Sequence, residues 1–269
     1  MTFNVDRDVL SLGSISAAQK GFVLTVTLDR PEALNAMTPA TWAALAAIGE
    51  AITPDVRSVI VTGRGRAFSA GLDRTMLSPA GPPGERGLVD IVKGTDEEIE
   101  EEIKVYQRGY TWLRRPDIIS IAAVRGHCIG AGFQLALACD IRLAGESALF
   151  SMREPKLGLV PDLTGTKPLV DAVGYSRALE IVASARDVGV DEALKIGLVH
   201  RVVRNKDLES ESMKLAMSVT QHSHEAVSAS KALLQGASGR TLAAQTELER
   251  IAQVKRLRAL AELLGESGT

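Results

Sequence analysis

The feature that most limits the possible folds is a repeated unit, a short apolar strand that ends in glycine and continues into a turn of small residues. The first strand is SVIVTG at 58–63, followed by RGRAFSAGLD, and the second is IISIAAV at 118–124, which Arg125 joins to GHCIGAGF. Both strands are rich in β-branched or small apolar residues, and we expect a helix after each turn. Strands that alternate with helices predict an α/β layered fold.

The segments around these units have local signals of their own. Residues 9–16 and 22–29 carry β-forming residues on either side of a Gln-Lys-Gly turn, which indicates a hairpin. Thr38 and the proline after it predict a helix start. Residues 78–87, SPAGPPGERG, predict a loop, and the acidic run after them indicates the exposed face of a helix through Trp112.

From residue 162 onward the sequence is almost entirely helical in character, and helices are expected to fill 208–264. We therefore divide the chain into a core at 1–203 and a helical region at 204–269.

Composition argues against several partners. With 31 basic and 33 acidic residues the formal net charge is −2, so there is no basic field to attract nucleic acid. The only support for RNA binding is a weak basic cluster, KRLR at 255–258, which is typical of a solvated helix face. No apolar run is long enough to span a membrane, and the first residues do not resemble a targeting peptide. The two cysteines, Cys128 and Cys139, fit a reduced chain, and we expect a cytoplasmic protein without a metal site.

The two glycine turns suggest a chemical role. Small residues at the start of a helix leave backbone N–H groups pointing outward, and two such turns can converge on one oxygen as an oxyanion hole. The alternative is that the glycines only permit tight turns. Neither turn has the spacing of a nucleotide-binding fingerprint.

Four segments together resemble the signature segments of the crotonase, or enoyl-CoA hydratase/isomerase, family. They are LDRPEALNAM (28–37), GRAFSAGLD (65–73), GHCIGAGFQLALACDIRLA (126–144) and EPKLGLVPDLTGT (154–166). The resemblance implies a spiral of ββα repeats, a C-terminal helical region that forms a homotrimer or a dimer of trimers, and an acyl-CoA thioester substrate. Coenzyme A is then part of the substrate, and no separate cofactor is expected.

The same resemblance implies roles for residues in both turns. Leu72 and Ala131 would supply the two oxyanion N–H donors. The residues expected to contact substrate or CoA are Ala70, Asp73, Arg74, Thr75 and Gly132.

Glu154 aligns with the glutamate that hydratases and many enoyl isomerases of the family use as acid and base. Gln134 stands where hydratases place a second glutamate, and an amide cannot take up and return a proton near neutral pH. Asp162, eight residues after Glu154, resembles the aspartate of dienoyl-CoA isomerases, although those enzymes also carry an acid at the position of Gln134. A helix-capping role for Asp162 is equally open at this point.

We therefore expect an enzyme that shifts a double bond in an enoyl- or dienoyl-CoA thioester, with Glu154 and Asp162 moving protons and Gln134 orienting the substrate. Two alternatives stay open. One is an enoyl-CoA hydratase that works with a single glutamate, and the other is a non-catalytic scaffold of the same fold that binds acyl-CoA or RNA.

Overall fold

The computed structural model of the protein describes residues 3–266. The α-helices are α1 (Arg7–Leu12), α2 (Pro39–Glu50), α3 (Leu88–Ile91), α4 (Asp96–Thr111), α5 (Ala131–Ala138), α6 (Thr166–Val173), α7 (Tyr175–Ser184), α8 (Val190–Lys195), α9 (Leu208–Val219), α10 (His224–Gln235) and α11 (Leu242–Glu266). The strands are β1 (Ile15–Lys20), β2 (Val23–Leu28), β3 (Ser58–Gly63), β4 (Ile119–Val124), β5 (His127–Ile129), β6 (Ile141–Gly145), β7 (Leu149–Ser151), β8 (Val188–Gly189) and β9 (Arg201–Val203).

The main sheet has the strand order β1-β2-β3-β4-β6-β9. β1 and β2 are antiparallel, and the remaining neighbours are parallel. Because parallel strands end at the same edge of a sheet, the turns after β3 and β4 begin close together. A smaller sheet has the order β5-β7-β8.

The central strands are buried on both faces, which explains their unbroken apolar sequences. Val59 and Val61 face one hydrophobic cluster and Ile60 faces another. The second cluster is closed by α9, whose Leu208 and Ala216 are buried in it. This packing makes α9 part of the sheet-containing unit.

The chain divides into two compact units, the first ending at Val219 and the second beginning at Thr220. The sequence-based division after residue 203 separates α9 from the core, whereas the observed division keeps it there. Within residues 3–266, no helix combines the length and the apolar character that crossing a bilayer requires.

Two expectations of local structure need correction. The predicted hairpin exists, with Gly21 at a φ of +58° in its turn, but its first strand begins at Ile15. Residues 7–12 instead form α1, whose start is capped by the Asp6 carboxylate accepting from Asp8 N over 2.9 Å. A capped helical turn is the better state for this segment because Asp6 supplies the acceptor that the first N–H groups need.

The second correction concerns the first glycine turn. It leads to a single 3₁₀ turn at Arg74–Leu77, not to an α-helix. The prolines and glycines at 78–87 stop the helix from continuing, and the predicted loop lies there. Only the second turn therefore has a helix dipole behind it, that of α5.

Candidate active site

The two glycine turns meet because β5 runs alongside the first turn. Ser69 N donates to His127 O over 2.9 Å, and Ile129 N donates to Ser69 O over 3.0 Å. Gly71 has a φ of +88°, and a Cβ added there would lie 2.5 Å from the Ile129 carbonyl oxygen and 3.4 Å from Ala131 N. A side chain at position 71 would hold the turns apart, so glycine permits their contact.

Each turn presents one backbone N–H group at this junction. Leu72 lies between two residues bonded to Met37: Met37 N donates to Gly71 O over 2.8 Å, and Asp73 N donates to Met37 O over 2.9 Å. Ala131 is the first residue of α5, so its N–H has no acceptor within the helix. Within residues 3–266, neither the Leu72 nor the Ala131 N–H donates to a protein acceptor. Two available donors on adjacent turns can bind one carbonyl oxygen and stabilise negative charge on it.

Glycines on either side of Ala131 allow close packing around the second turn. Gly130 has a φ of +51°, and a Cβ there would lie 3.3 Å from Oε1 of Glu154. A Cβ at Gly132 would lie 2.6 Å from the Cβ of Ser69. Gly132, predicted to contact substrate, is therefore needed to let α5 pack on Ser69.

Gln134 lies in the middle of α5 and is completely buried, at 0% exposure. Its Oε1 accepts hydrogen bonds from Leu163 N over 2.8 Å and from Gly165 N over 3.2 Å, and its Nε2 donates to Oε1 of Glu154 over 2.6 Å. Backbone N–H groups can only donate, so the amide orientation is fixed. The sequence predicted that Gln134 orients substrate, whereas its immediate partners are Glu154 and the chain next to Asp162.

Glu154 begins a 3₁₀ turn and is only 9% exposed. Its Oε1 accepts from Gln134, while its Oε2 is buried without a hydrogen-bond partner in the described part of the chain. Burial raises the pKa of Glu154, the hydrogen bond from Gln134 opposes that rise, and the charge of Asp162 adds to it. A carboxyl group with a raised pKa and one uncommitted oxygen is suited to accept and return a proton.

Asp162 is half-buried, and burial raises the pKa of its carboxyl group. Its backbone carbonyl accepts from Gln107 Nε2 over 2.7 Å. The following helix α6 begins at Thr166 with Gly165 at its N-cap, so the helix-capping alternative for Asp162 is wrong. Asp162 and Glu154 are close enough that the charge of the first affects the second.

The remaining predicted substrate contacts lie in the first turn. Asp73 is committed to ordering it: its carboxylate accepts from Thr75 N over 2.8 Å and from Thr75 Oγ1 over 2.6 Å, and it pairs with Arg30. Burial opposes ionisation, but these hydrogen bonds and the Arg30 charge lower the pKa of Asp73. Arg74 and Thr75 are exposed, and Ala70 is partly buried.

Sequence reasoning missed two buried polar residues that shape the first turn. Asn35, at a φ of +56°, donates from Nδ2 to Arg64 O over 3.0 Å and to Ala67 O over 2.9 Å. Ser69 Oγ donates to Asn35 O over 2.7 Å and accepts from Gly71 N over 3.1 Å. A signal was present in the sequence, since both residues stand among apolar neighbours and asparagine tolerates a positive φ better than most residues.

The family model described as enoyl-CoA hydratase/isomerase matches residues 18–259. The chain belongs to the enoyl-CoA hydratase/isomerase family. A crystal structure from Thermobifida fusca YX, assigned to an enoyl-CoA hydratase and solved in complex with CoA, is 42% identical with a TM-score of 0.91, covering 96% of this chain and 98% of that one. The predicted α/β fold of the crotonase type, with helices at its C-terminal end, is confirmed.

Relatives with different activities are about equally similar to this member of the enoyl-CoA hydratase/isomerase family. The Delta(3,5)-Delta(2,4)-dienoyl-CoA isomerase of Rattus norvegicus is 36% identical over 81% of this chain and 66% of its own length. The short-chain-enoyl-CoA hydratase of Clostridium acetobutylicum is 32% identical over 82% of this chain and 81% of its own. The chain is thus an enzyme of the hydratase/isomerase kind, and choosing between the two depends on the site residues.

Proposed function

We propose that the chain is an acyl-CoA isomerase that moves a carbon–carbon double bond in an enoyl- or dienoyl-CoA thioester. The observation that carries this proposal is the Gln134–Glu154 hydrogen bond of 2.6 Å. It puts a non-titrating amide beside Glu154 and leaves Asp162 as the nearby second acid. Two acids that move protons suit isomerisation, while the Gln134 amide beside Glu154 cannot take a proton from water as a second glutamate there would.

The reaction is a proton transfer in two steps. One carboxylate takes a proton from a carbon next to the conjugated system, and the electron pair of that C–H bond moves toward the thioester carbonyl as the double bond shifts. A proton is then delivered to the other end, and the carbonyl re-forms. At Glu154 the proton is carried on Oε2, because Oε1 accepts from Gln134. No electrons are gained or lost, so the reaction as proposed needs no resident cofactor.

The N–H groups of Leu72 and Ala131 hold the thioester oxygen in this scheme. The charge left by proton removal spreads onto that oxygen, and two preorganised donors stabilise it more strongly as it develops. Fixing the donors in a buried junction avoids the cost of reorienting them during the reaction.

The CoA portion is proposed to lie along the first turn, over the partly buried Ala70 and the exposed Arg74 and Thr75. Arg74 can meet an anionic phosphate there, whereas Asp73 is engaged by Arg30 and Thr75. A related Thermobifida fusca structure, solved with acetoacetyl-CoA, is 42% identical with a TM-score of 0.91, which supports a CoA thioester as the substrate class.

The C-terminal helical region is proposed to form a homotrimer or a dimer of trimers. Leu257, Leu260 and Leu264 on α11 are each more than half exposed, at 54%, 51% and 67%. Exposed leucines on one helix favour burial against another chain. Light scattering coupled to size-exclusion chromatography would measure the oligomer.

The test of function is an activity panel on 2-enoyl-, 3-enoyl- and 3,5-dienoyl-CoA, with products identified by mass spectrometry and NMR. We expect a shifted double bond from a 3-enoyl or 3,5-dienoyl substrate and little hydration. Rapid addition of water to 2-enoyl-CoA, near 10³ per second at the upper end of ordinary turnover, would instead identify a hydratase that uses Glu154 alone.

A further inference from the structure

Tyr110 is a fully buried tyrosine on α4 whose hydroxyl group lies behind the junction of the two glycine turns. Its exposure is 0%. The hydroxyl contacts the Ala131 carbonyl oxygen at 3.3 Å and the Met37 sulfur at 3.5 Å. No residue of α4 was predicted to belong to the site.

The segment around Leu72 and the segment around Ala131 are here called the two donor arms. Each of the two contacts of the hydroxyl leads to a different arm. Ala131 carries one of the available N–H groups. Met37 controls the other, because its backbone N–H and carbonyl bond to Gly71 O and Asp73 N on either side of Leu72. The Tyr110 hydroxyl therefore touches the Ala131 backbone directly and reaches the other arm through the side chain of Met37.

The hydroxyl contacts the two arms in different ways. It has one hydrogen, and the Ala131 carbonyl is a stronger acceptor for it than the thioether sulfur, which it contacts more weakly. Burial raises the pKa of Tyr110 well above its ordinary value, which outweighs the lowering effect of the neighbouring Trp42. The hydroxyl thus keeps its hydrogen in the working range of a carboxylate-based site.

We propose that Tyr110 is a positioning residue that fixes the separation of the Leu72 and Ala131 N–H groups. The proposal rests on the proposed function, in which those groups bind the thioester oxygen. Oxyanion donors act at about 2.7–3.1 Å from the oxygen, and small displacements weaken them. A contact that ties the two arms together from the buried side keeps them at a working distance.

The test compares Tyr110→Phe with Tyr106→Phe. Tyr106 lies one turn earlier on the same helix, and its hydroxyl donates to Glu102 on that helix over 2.6 Å, away from both arms. The probe is a conjugated aryl-enoyl-CoA whose absorption band moves to longer wavelength when its carbonyl is polarised. Circular dichroism and melting temperature verify that each variant is folded.

We expect the wild type and Tyr106→Phe to shift the band equally. Tyr110→Phe should give a clearly smaller shift and a kcat that is lower by roughly tenfold or more, with KM little changed, because donors that are out of place mainly affect the transition state. A loss of packing alone would lower the melting temperature without separating kcat from KM. If Tyr110→Phe does not fold, Met37→Leu removes the sulfur at the other end of the bridge and should also reduce the shift.

The outcomes separate the two proposals. A wild type that binds the probe without any shift means that the oxyanion hole, and with it the proposed function, is wrong. A shifted wild type together with an equal shift and equal kcat in Tyr110→Phe, or in Met37→Leu when only that variant folds, overturns the role of Tyr110 alone.

Discussion

Gln134 and Glu154 are joined by a hydrogen bond of 2.6 Å in which the direction of donation is fixed. Oε1 of Gln134 already accepts from the Leu163 and Gly165 N–H groups, so Nε2 must face Glu154 and donate to it. One oxygen of the carboxylate is therefore committed, and Oε2 has no hydrogen-bond partner among residues 3–266. The same amide ties Glu154 to the chain that follows Asp162.

Gln134→Glu is expected to raise the pKa of the Glu154 carboxyl group, so that activity in acid is lost at a higher pH. The new carboxylate keeps an oxygen for the two backbone N–H groups but places the other about 2.6 Å from Glu154, where two negative charges share one proton. A base must be deprotonated to act, so the rising limb of the kcat/KM profile moves to higher pH. We also expect measurable hydration of 2-enoyl-CoA. Gln134→Met keeps the size and cannot titrate; it loses only the amide hydrogen bond that lowers the pKa of Glu154, so it should move the limb less than Gln134→Glu does. An unchanged pH profile in Gln134→Glu would contradict the coupling.

Glu154→Gln is expected to lower kcat by at least ~100-fold, the usual scale for a lost general acid or base, with little effect on CoA affinity. Steady-state kinetics and calorimetric titration with CoA measure the two quantities. Glu97→Gln, an exposed glutamate on α4, makes the same chemical change outside the site and should leave both unchanged. Activity retained in Glu154→Gln would remove Glu154 from the mechanism.

Asp162→Asn is expected to abolish most isomerisation while leaving proton exchange at one carbon. With only Glu154 titrating, a proton removed from the substrate can be returned to the carbon it left but not to the other end of the conjugated system. In D₂O, NMR should show deuterium incorporated at one position without a shifted double bond. Stability should be little affected, because α6 starts at Thr166 and is not capped by Asp162. Full isomerisation by this variant would assign both proton transfers to Glu154.

Much of the fold follows from local sequence signals, whereas the site depends on distant contacts. The strand at 58–63 was predicted to the residue, because a β-branched run that ends in glycine is a local pattern. The bond between Gln134 and Glu154 joins residues that are 20 apart, and the Tyr110 contact with Met37 spans 73. No periodicity encodes such pairs. Tyr110 in particular has the sequence context of an ordinary core aromatic on a helix.

Stability should also reveal the cost of keeping Glu154 buried. The folded-state pKa of Glu154 is raised above its ordinary value of 4.5, so the folded protein binds a proton more tightly than the unfolded chain does. The stabilisation that protonated Glu154 contributes is therefore fully present below its pKa in the unfolded chain. It is lost as pH rises through its pKa in the folded protein. Glu154→Gln should melt at a higher temperature than the wild type at neutral pH, and the difference should shrink toward pH 4. Scanning calorimetry across that range tests it, and a constant difference would contradict a raised pKa.

Ala131→Pro is expected to remove one oxyanion donor while the fold is retained. Proline is well tolerated at the first position of a helix, where the N–H has no helical acceptor, and Ala131 holds that position in α5. Loss of the donor should raise the barrier by roughly 3 kcal/mol, which is a decrease of more than ~100-fold in kcat. Ala131→Ser changes the side chain and keeps the N–H, so it should retain most of the activity. Circular dichroism verifies the fold of both variants. A folded and fully active proline variant would mean that the thioester oxygen is held elsewhere.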